Sequence, residues 1–289
     1  MSKPVLHLLG CGRAARVVAR WLYQAGQVEI GQVCNRSQES AADAVAFMGV
    51  GDVVEQMDER ITGGWLLLGL PDGELSAMAS GLACRMPGQP ELCFHLSGSM
   101  PGNILSPLGA PSASAHPARA FARPEQALAA MSGTWLVAEG DRAALDRLAP
   151  AIMAADGHWL EIDSAGKRLY HAATVAASNY LVTLSGLARE LASAAGLDAG
   201  TGAELLASLQ RGTLDNLDGR RASDALTGPI ERSDAWALES LLKAVEELSP
   251  EQGQLFRALG LATLDLAIKK RGSKPGDEAI RGCLTTPTG

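Results

Sequence analysis

Residues 4–15 read PVLHLLGCGRAA, and this stretch decides the fold. Val5, Leu6, Leu8 and Leu9 form an apolar run of strand length that stops at Gly10, and Arg13 to Gln24 then has helical spacing. A strand, a glycine turn and a helix start make the phosphate-binding opening of a dinucleotide domain. Gly10 can take a turn conformation closed to residues with a Cβ. Gly12 leaves room for a pyrophosphate against the backbone, and Ala15 stands where a third glycine often does. The N–H groups and dipole of the helix start favour negative charge there. Cys11, Arg13 and Ala14 complete the turn, with Cys11 read as a small filler. A tight connection with no ligand is the alternative reading of the same residues.

Outward from the turn, strands and helices alternate. Val28 to Cys34 reads as a second strand, ending at Asn35-Arg36-Ser37 before a helix from Ser37 to Met48. NAD-binding domains commonly place an acid here for the ribose hydroxyl, about 20 residues beyond the glycines. This chain has none. Arg36 and Ser37, with Asn35 beside them, suit a 2′-phosphate, so the expected cofactor is NADP (NADPH). Further strands are read at Trp65 to Leu70, Glu91 to Leu96, Ser112 to Ala115, Thr134 to Ala138 and His158 to Ile162, with helices from Gly73 to Cys84 and Asp141 to Asp156. Such alternation predicts an α/β fold with a doubly wound parallel sheet.

From Ser164 onward no strand is read. Ala165 to Leu197 reads as one long helix, followed by helices over Thr201–Asn216, Ser233–Leu248 and Pro250–Arg271. The expected division is therefore 1–163 for dinucleotide binding and 164–289 for an all-helical substrate and dimerisation domain. The Gly-, Pro- and Thr-rich tail beyond Arg271 is expected to fray. No repeat of solenoid period is found.

Composition narrows the function. A hydrophobic fraction of 47% and a charged fraction of 20% belong to a globular chain of two ordinary domains. Net charge is −7 with scattered basic residues, which excludes the footprint of a nucleic-acid binder. No run approaches the roughly 18 apolar residues of a membrane span, and the N-terminal run is too brief for a signal peptide core. The five cysteines, Cys11, Cys34, Cys84, Cys93 and Cys283, lack C-x-x-C spacing and point to no metal site. They read as reduced thiols of a cytoplasmic protein.

Ligands of open α/β sheets bind beyond the carboxyl ends of the strands. The polar stops there are Gly10–Ala15, Asn35–Ser37, Leu70-Pro71-Asp72, Ser97–Ser99 and His116-Pro117. The strongest catalytic residues follow in GKRLYHAATVAASNYLVTL, where a helix would place Lys167, His171 and Ser178 roughly on one face, with Asn179 next to them. Lysine, histidine and asparagine in an apolar helix are costly unless partnered or used. Hydride transfer to a carbonyl uses them: an ammonium or imidazolium meets the charge growing on oxygen, and an amide holds the substrate. The alternative is a solvated Lys167 and a core His171. His116 is a second catalytic residue, at a strand end before a proline. His7 and His158 read as structural.

GCGRAAR at 10–16, LPD at 70–72, HLSG at 95–98, HPARAFA at 116–122, GKRLYHAATVAASNYLVTL at 166–184 and LTGPIERSD at 226–234 resemble Rossmann-like proteins with a DUF2520 C-terminal domain. This group is similar to a superfamily holding 6-phosphogluconate, β-hydroxyacid and prephenate dehydrogenases, ketopantoate reductase and pyrroline-5-carboxylate reductase. The resemblance implies a Rossmann domain followed by a helical domain, often dimerised through the helices. In the hydroxyacid dehydrogenases an active-site lysine precedes an asparagine by four residues; Lys167 fits that lysine and His171 stands in place of the asparagine. His116-Pro117 resembles the substrate-side histidine of prephenate dehydrogenases. Similarity to a divergent ketopantoate reductase makes a small 2-oxo acid the leading substrate class. An imine reductase, a prephenate-type dehydrogenase and a non-catalytic NADP sensor are the alternatives, and a homodimer is the expected assembly.

Overall fold

The computed structural model describes residues 3–86 and 88–285. The chain falls into two compact units, Met1–Ser178 and Asn179–Gly289. The first is built on one sheet of eight strands: β1 Val5–Cys11, β2 Glu29–Cys34, β3 Asp52–Val53, β4 Trp65–Gly69, β5 Leu92–His95, β6 Ser112–Pro117, β7 Trp135–Gly140 and β8 His158–Glu161. Their order is β3-β2-β1-β4-β5-β6-β7-β8. The chain lays β2 and β3 on one side of β1 and then crosses to the other side with β4. That reversal puts a crevice at the carboxyl ends of β1 and β4.

Side chains alternate between two buried layers, which is why these strands read as continuous apolar runs. Leu6, Leu8, Trp65, Leu67, Leu92 and Phe94 face one cluster, together with Val17, Val18 and Leu22 of helix α1 Arg13–Gln24. Leu9, Leu66, Leu68 and Cys93 face the other, with Leu75, Ala79 and Leu82 of α3 Asp72–Ala83. Between them α2 runs over Gln38–Met48, with Ser37 Oγ accepting from Ser40 N as its cap. The unit is completed by α4 Pro124–Ala129, α5 Arg142–Ala154, a 3₁₀ segment at Gly102–Leu108 and another at Ser164–Gly166 leading into α6 Lys167–Ala177.

The expected α/β class and the seven expected strands hold, but the two-residue β3 was not among them and one reversal lies inside the sheet. β6 and β7 pair antiparallel, with Ser114 opposite Glu139 and His116 opposite Val137, while the other pairs are parallel. The segment after Pro117 returns at the same edge of the sheet, so β7 runs back along β6.

The second unit is helical among its described residues: α7 Asn179–Ala194, α8 Ala199–Leu217, α9 Ala222–Ala225, α10 Pro229–Arg232, α11 Ala235–Leu248, α12 Pro250–Arg271 and α13 Asp277–Thr285. Two expectations are corrected here. The single helix over 165–197 is interrupted at Ser178, a turn residue with φ of −118° between α6 and α7. The tail is also better held than its composition implied. Ile280 and Leu284 are buried against Ile230, Leu238 and Leu264. Asp277 locks the start of α13 through Arg271 at 2.7 Å and Ser233 at 2.8 Å. Positions 286–289 of that tail lie outside the described residues. Among the described residues no helix is long and apolar enough to cross a membrane.

Candidate functional site

The glycine turn is set by two backbones in close approach. Gly10 has φ of +76°, and a Cβ on it would lie 2.5 Å from Leu70 Cδ2. On β4, a Cβ on Gly69 would meet Gly10 O at 2.3 Å and Ala15 Cβ at 2.5 Å. Ala15, almost fully buried, thus packs against a glycine on the neighbouring strand. Gly69 was not singled out in the sequence, because its need for a missing Cβ arises only across the β1–β4 pair. Gly12 is different: a Cβ there meets only Gly69 O, at 3.8 Å. No side chain caps α1 and no acid occupies its first turn. Its leading N–H groups are left for an anion, as the turn of a dinucleotide site requires. Cys11 is buried, and burial pushes its thiol up to about 12, which makes it inert filler. Arg13 is exposed and Ala14 half-buried.

One strand over, Asn35 holds the backbone: its Oδ1 accepts from Cys11 N at 2.6 Å, and its Nδ2 donates to Ser40 O at 2.9 Å. It ties the glycine turn to α2. Arg36 is exposed and makes no ion pair or hydrogen bond among the described residues. Ser37, beside it, uses its hydroxyl as the α2 cap.

On the other side of the turn, Leu70 supports Gly10, Pro71 caps α3 and Asp72 opens it. Ser99 Oγ donates to Asp72 Oδ2 at 2.5 Å. Ser97 Oγ accepts from Ser99 N at 3.2 Å and Met100 N at 3.0 Å, so its hydroxyl shapes the loop after β5.

A buried polar row follows. His95, Ser114 and Glu139 are in register across β5, β6 and β7, and each is less than 5% exposed. Lys167, 1% exposed, lies against this row. Its Nζ donates to Ser114 Oγ at 2.6 Å and stands 3.8 Å from Glu139 Oε1. Ser114 Oγ in turn donates to Ser97 O at 2.9 Å. Glu139 accepts from Gly102 N on Oε1 and from Ser164 Oγ on Oε2, both at 2.6 Å. Burial lowers the Lys167 pKa, opposed by the charges of Glu139 and Asp72. His95 accepts from Ser97 N on Nδ1, so its proton sits on Nε2 toward Pro101 O. Burial drops its pKa to about 4.

Above Lys167 three rings gather. His116 Nδ1 is 2.7 Å from Tyr170 Oη, and the His116 and His171 rings meet edge to face at 5.5 Å. A Cβ on Gly98 would lie 2.2 Å from His171 Nδ1 and 3.0 Å from His116 Nε2, so the loop after β5 touches both histidines. His171 Nδ1 lies 3.3 Å from Thr174 Oγ1. Burial, with the charges of His171 and Lys167, lowers His116 to about 4. Burial raises Tyr170 to about 12.

Lys167, His171 and His116 are thus brought together, but Lys167 lies beneath the surface the histidines present. Asn179 is the exposed first residue of α7, in the second unit. Sequence reasoning missed Tyr170, Gly98, His95, Ser114 and Glu139. The alternation Ser112, Ala113, Ser114, Ala115, His116 was the available signal: on a sheet covered on both faces, its polar side must be partnered.

A sheet reversing at β1 and β4, with an open glycine turn at that point, is a Rossmann-type dinucleotide fold. Residues 134–263 match the family model described as Domain of unknown function (DUF2520), the group that its motifs resemble. The match begins within the sheet, taking in β7 and β8. No curated protein matches the chain. Among solved structures it is similar to protein TM1727 from Thermotoga maritima, at 25% identity and TM-score 0.70, covering 92% of this chain and 99% of that one. It is similar to BF3122 from Bacteroides fragilis, a candidate NADP oxidoreductase, at 20% identity and TM-score 0.78, covering 91% and 98%. An imine reductase from Aspergillus terreus in complex with NADPH4 is similar at 21% identity and TM-score 0.58, covering 97% and 99%.

Proposed function

We propose that this protein is an NADP-dependent oxidoreductase that moves a hydride to or from a small carbonyl compound, with 2-oxo and 2-hydroxy acids of the ketopantoate-reductase kind as the first substrate class. One observation carries this reading. Along a single edge of the sheet stand a turn open at Gly12, an unpaired Arg36 and the paired rings of His116 and Tyr170. The first N–H groups of α1 would hold the pyrophosphate, and Arg36 the 2′-phosphate that distinguishes NADP from NAD. The bound dinucleotide supplies the hydride.

The chain's own groups do the rest. Lys167 sets a positive charge beneath the reacting edge, where it favours negative charge developing on a substrate oxygen. His116 and His171 orient the substrate and serve its proton. In this division residues 1–163 hold the dinucleotide and 164–289 the substrate and a second subunit. The fold shared with NADP-binding reductases supports the cofactor assignment.

A second reading, reduction of an imine, is favoured by the burial of Lys167: an ammonium that does not reach the substrate is no obstacle where the substrate nitrogen is already basic. The likeness to the Aspergillus terreus imine reductase supports it. A panel of 2-oxo acids and cyclic imines with NADPH, followed by loss of its absorbance, tests both. Turnover of oxo acids alone selects the first reading, and of imines alone the second. Tight NADPH binding with no turnover would make the protein a sensor.

The assembly proposed is a homodimer through the helical unit. Helix α7 buries no side chain and α8 buries only Gly202. Val182 and Leu209 are 70% and 65% exposed. Helices owe most of their stability to a covered apolar face, and a second copy would provide it.

A further inference from the structure

The proposed function takes the pairing of His116 with Tyr170 as a landmark of the site and gives Tyr170 no part in the chemistry. Tyr170 comes from α6 and His116 from the end of β6, fifty-four positions apart. Both belong to the first compact unit. Nδ1 of His116 is taken up by Tyr170, while Nε2 has no hydrogen-bond partner among the described residues and faces Gly98, where a side chain is missing.

Resting on the oxidoreductase reading, we infer that Tyr170 is a positioning and proton-supplying residue: it donates to His116 Nδ1, fixes the imidazole proton on Nε2 toward the substrate, and replaces that proton after it is given away. The groups facing His116 agree with this direction. Burial above all, then His171 and Lys167 on α6, oppose a second proton on the ring, and Asp72 at the start of α3 favours one. The ring is therefore neutral near pH 7 and holds one transferable proton. Tyr170, raised to about 12, is protonated and able to donate.

The transfer balances as follows. Once hydride has reached the substrate carbon, the electron pair of the former double bond rests on oxygen or nitrogen. That atom takes the proton from Nε2, and the Nε2–H bond breaks. The Tyr170 O–H bond breaks as its proton moves to Nδ1, leaving a phenolate and a neutral imidazole. Solvent then reprotonates the phenolate. Without Tyr170 the neutral ring would have to become an imidazolate, which is too basic to form. The remaining route is donation by an imidazolium, scarce above pH 4 and scarcer with each further unit.

The test is the pH dependence of turnover in full-length wild type and Tyr170→Phe, with nitrogen-15 NMR of His116 in the wild type. Expected are the Nε2–H tautomer, a wild-type rate that is flat between about pH 6 and 9, and a Tyr170→Phe rate lower by about 10²-fold that declines tenfold per pH unit. NADPH affinity should be unchanged. A purely structural tyrosine would lower the rate without tilting the profile. The Nδ1–H tautomer, or a flat profile in a Tyr170→Phe protein that still turns over, overturns this inference alone. A wild type that leaves NADPH unoxidised in the presence of every oxo acid and imine of the panel overturns the oxidoreductase reading and this inference with it.

Discussion

Lys167 donates to Ser114 across 2.6 Å, and neither side chain reaches bulk solvent. Any effect of the ammonium on a bound substrate would therefore be exerted through its charge or through the loop that Ser114 holds by Ser97 O. Removing one member of a buried ion pair strands the other. Lys167→Met should cost about 3–5 kcal/mol of stability by leaving Glu139 uncompensated. Adding Glu139→Gln should restore part of that loss. Urea unfolding of the single and double variants checks both. In the folded fraction, kcat should fall while NADPH affinity holds, the mark of a charge felt in the transition state. Unchanged unfolding and unchanged kcat would remove Lys167 from both roles.

Two glycines of the turn should behave in opposite ways. Gly10→Ala places a Cβ against Leu70 at positive φ and should destabilise the fold. Gly12→Ala makes only an ordinary van der Waals contact with Gly69 O, so its stability cost should stay below about 1 kcal/mol, while NADPH binding falls at least about tenfold. Thermal unfolding and cofactor titration separate the two effects. Loss of stability without loss of affinity in Gly12→Ala would contradict the phosphate assignment.

Arg36→Ala should weaken NADPH binding about tenfold and leave NADH binding nearly unchanged, because the charge-assisted contact exists only with the 2′-phosphate. Equal losses for both cofactors would move the 2′-phosphate elsewhere.

His95 ties acid stability to the site. Its folded pKa of about 4 lies below its ordinary value of 6.5, so between these limits the unfolded chain binds more protons than the folded one. Stability contributed by the neutral ring is complete above about pH 6.5 and is lost as pH falls toward 4, by about 3 kcal/mol. His95→Gln should flatten that part of the stability–pH curve. An unchanged slope would mean that His95 is not the group responsible.

For assembly, light scattering at micromolar concentration should give twice the chain mass. Leu209→Asp, on the exposed face of α8, should give a monomer of unchanged helicity. A wild-type monomer would sink the dimer.

The fold was legible because its signals are local. The alternation of short apolar runs with helical spacing located the main strands, and Gly10, Gly12 and Ala15 marked the turn. The antiparallel β6–β7 pair was not legible, since nothing within Ser112–Pro117 or Trp135–Gly140 states the direction of its neighbour. Nor was the interruption at Ser178, where the apolar period continues through the turn residue. Among the chemistry, Lys167, His116 and His171 stood out as residue types. Tyr170, Glu139 and Ser114 owe their importance to partners 25 or more positions away. The packing of α13 was hidden in the same way, because its anchor is a contact of Asp277 with Arg271 and Ser233 rather than a feature of composition.

The strand order also sets a sequence of events as the chain folds. After β4, every strand is laid on the edge its predecessor left open, so the sheet grows by simple accretion toward β8. The exception is β4 itself, which must pass the β2–β3 side and settle against β1. Until it does, Ala15 has no Gly69 to pack on and the glycine turn lacks its far wall. A nascent chain that has emitted only its first sixty residues would therefore carry the nucleotide motif without being able to use it. The arrival of Trp65–Gly69 is the step that should switch binding on.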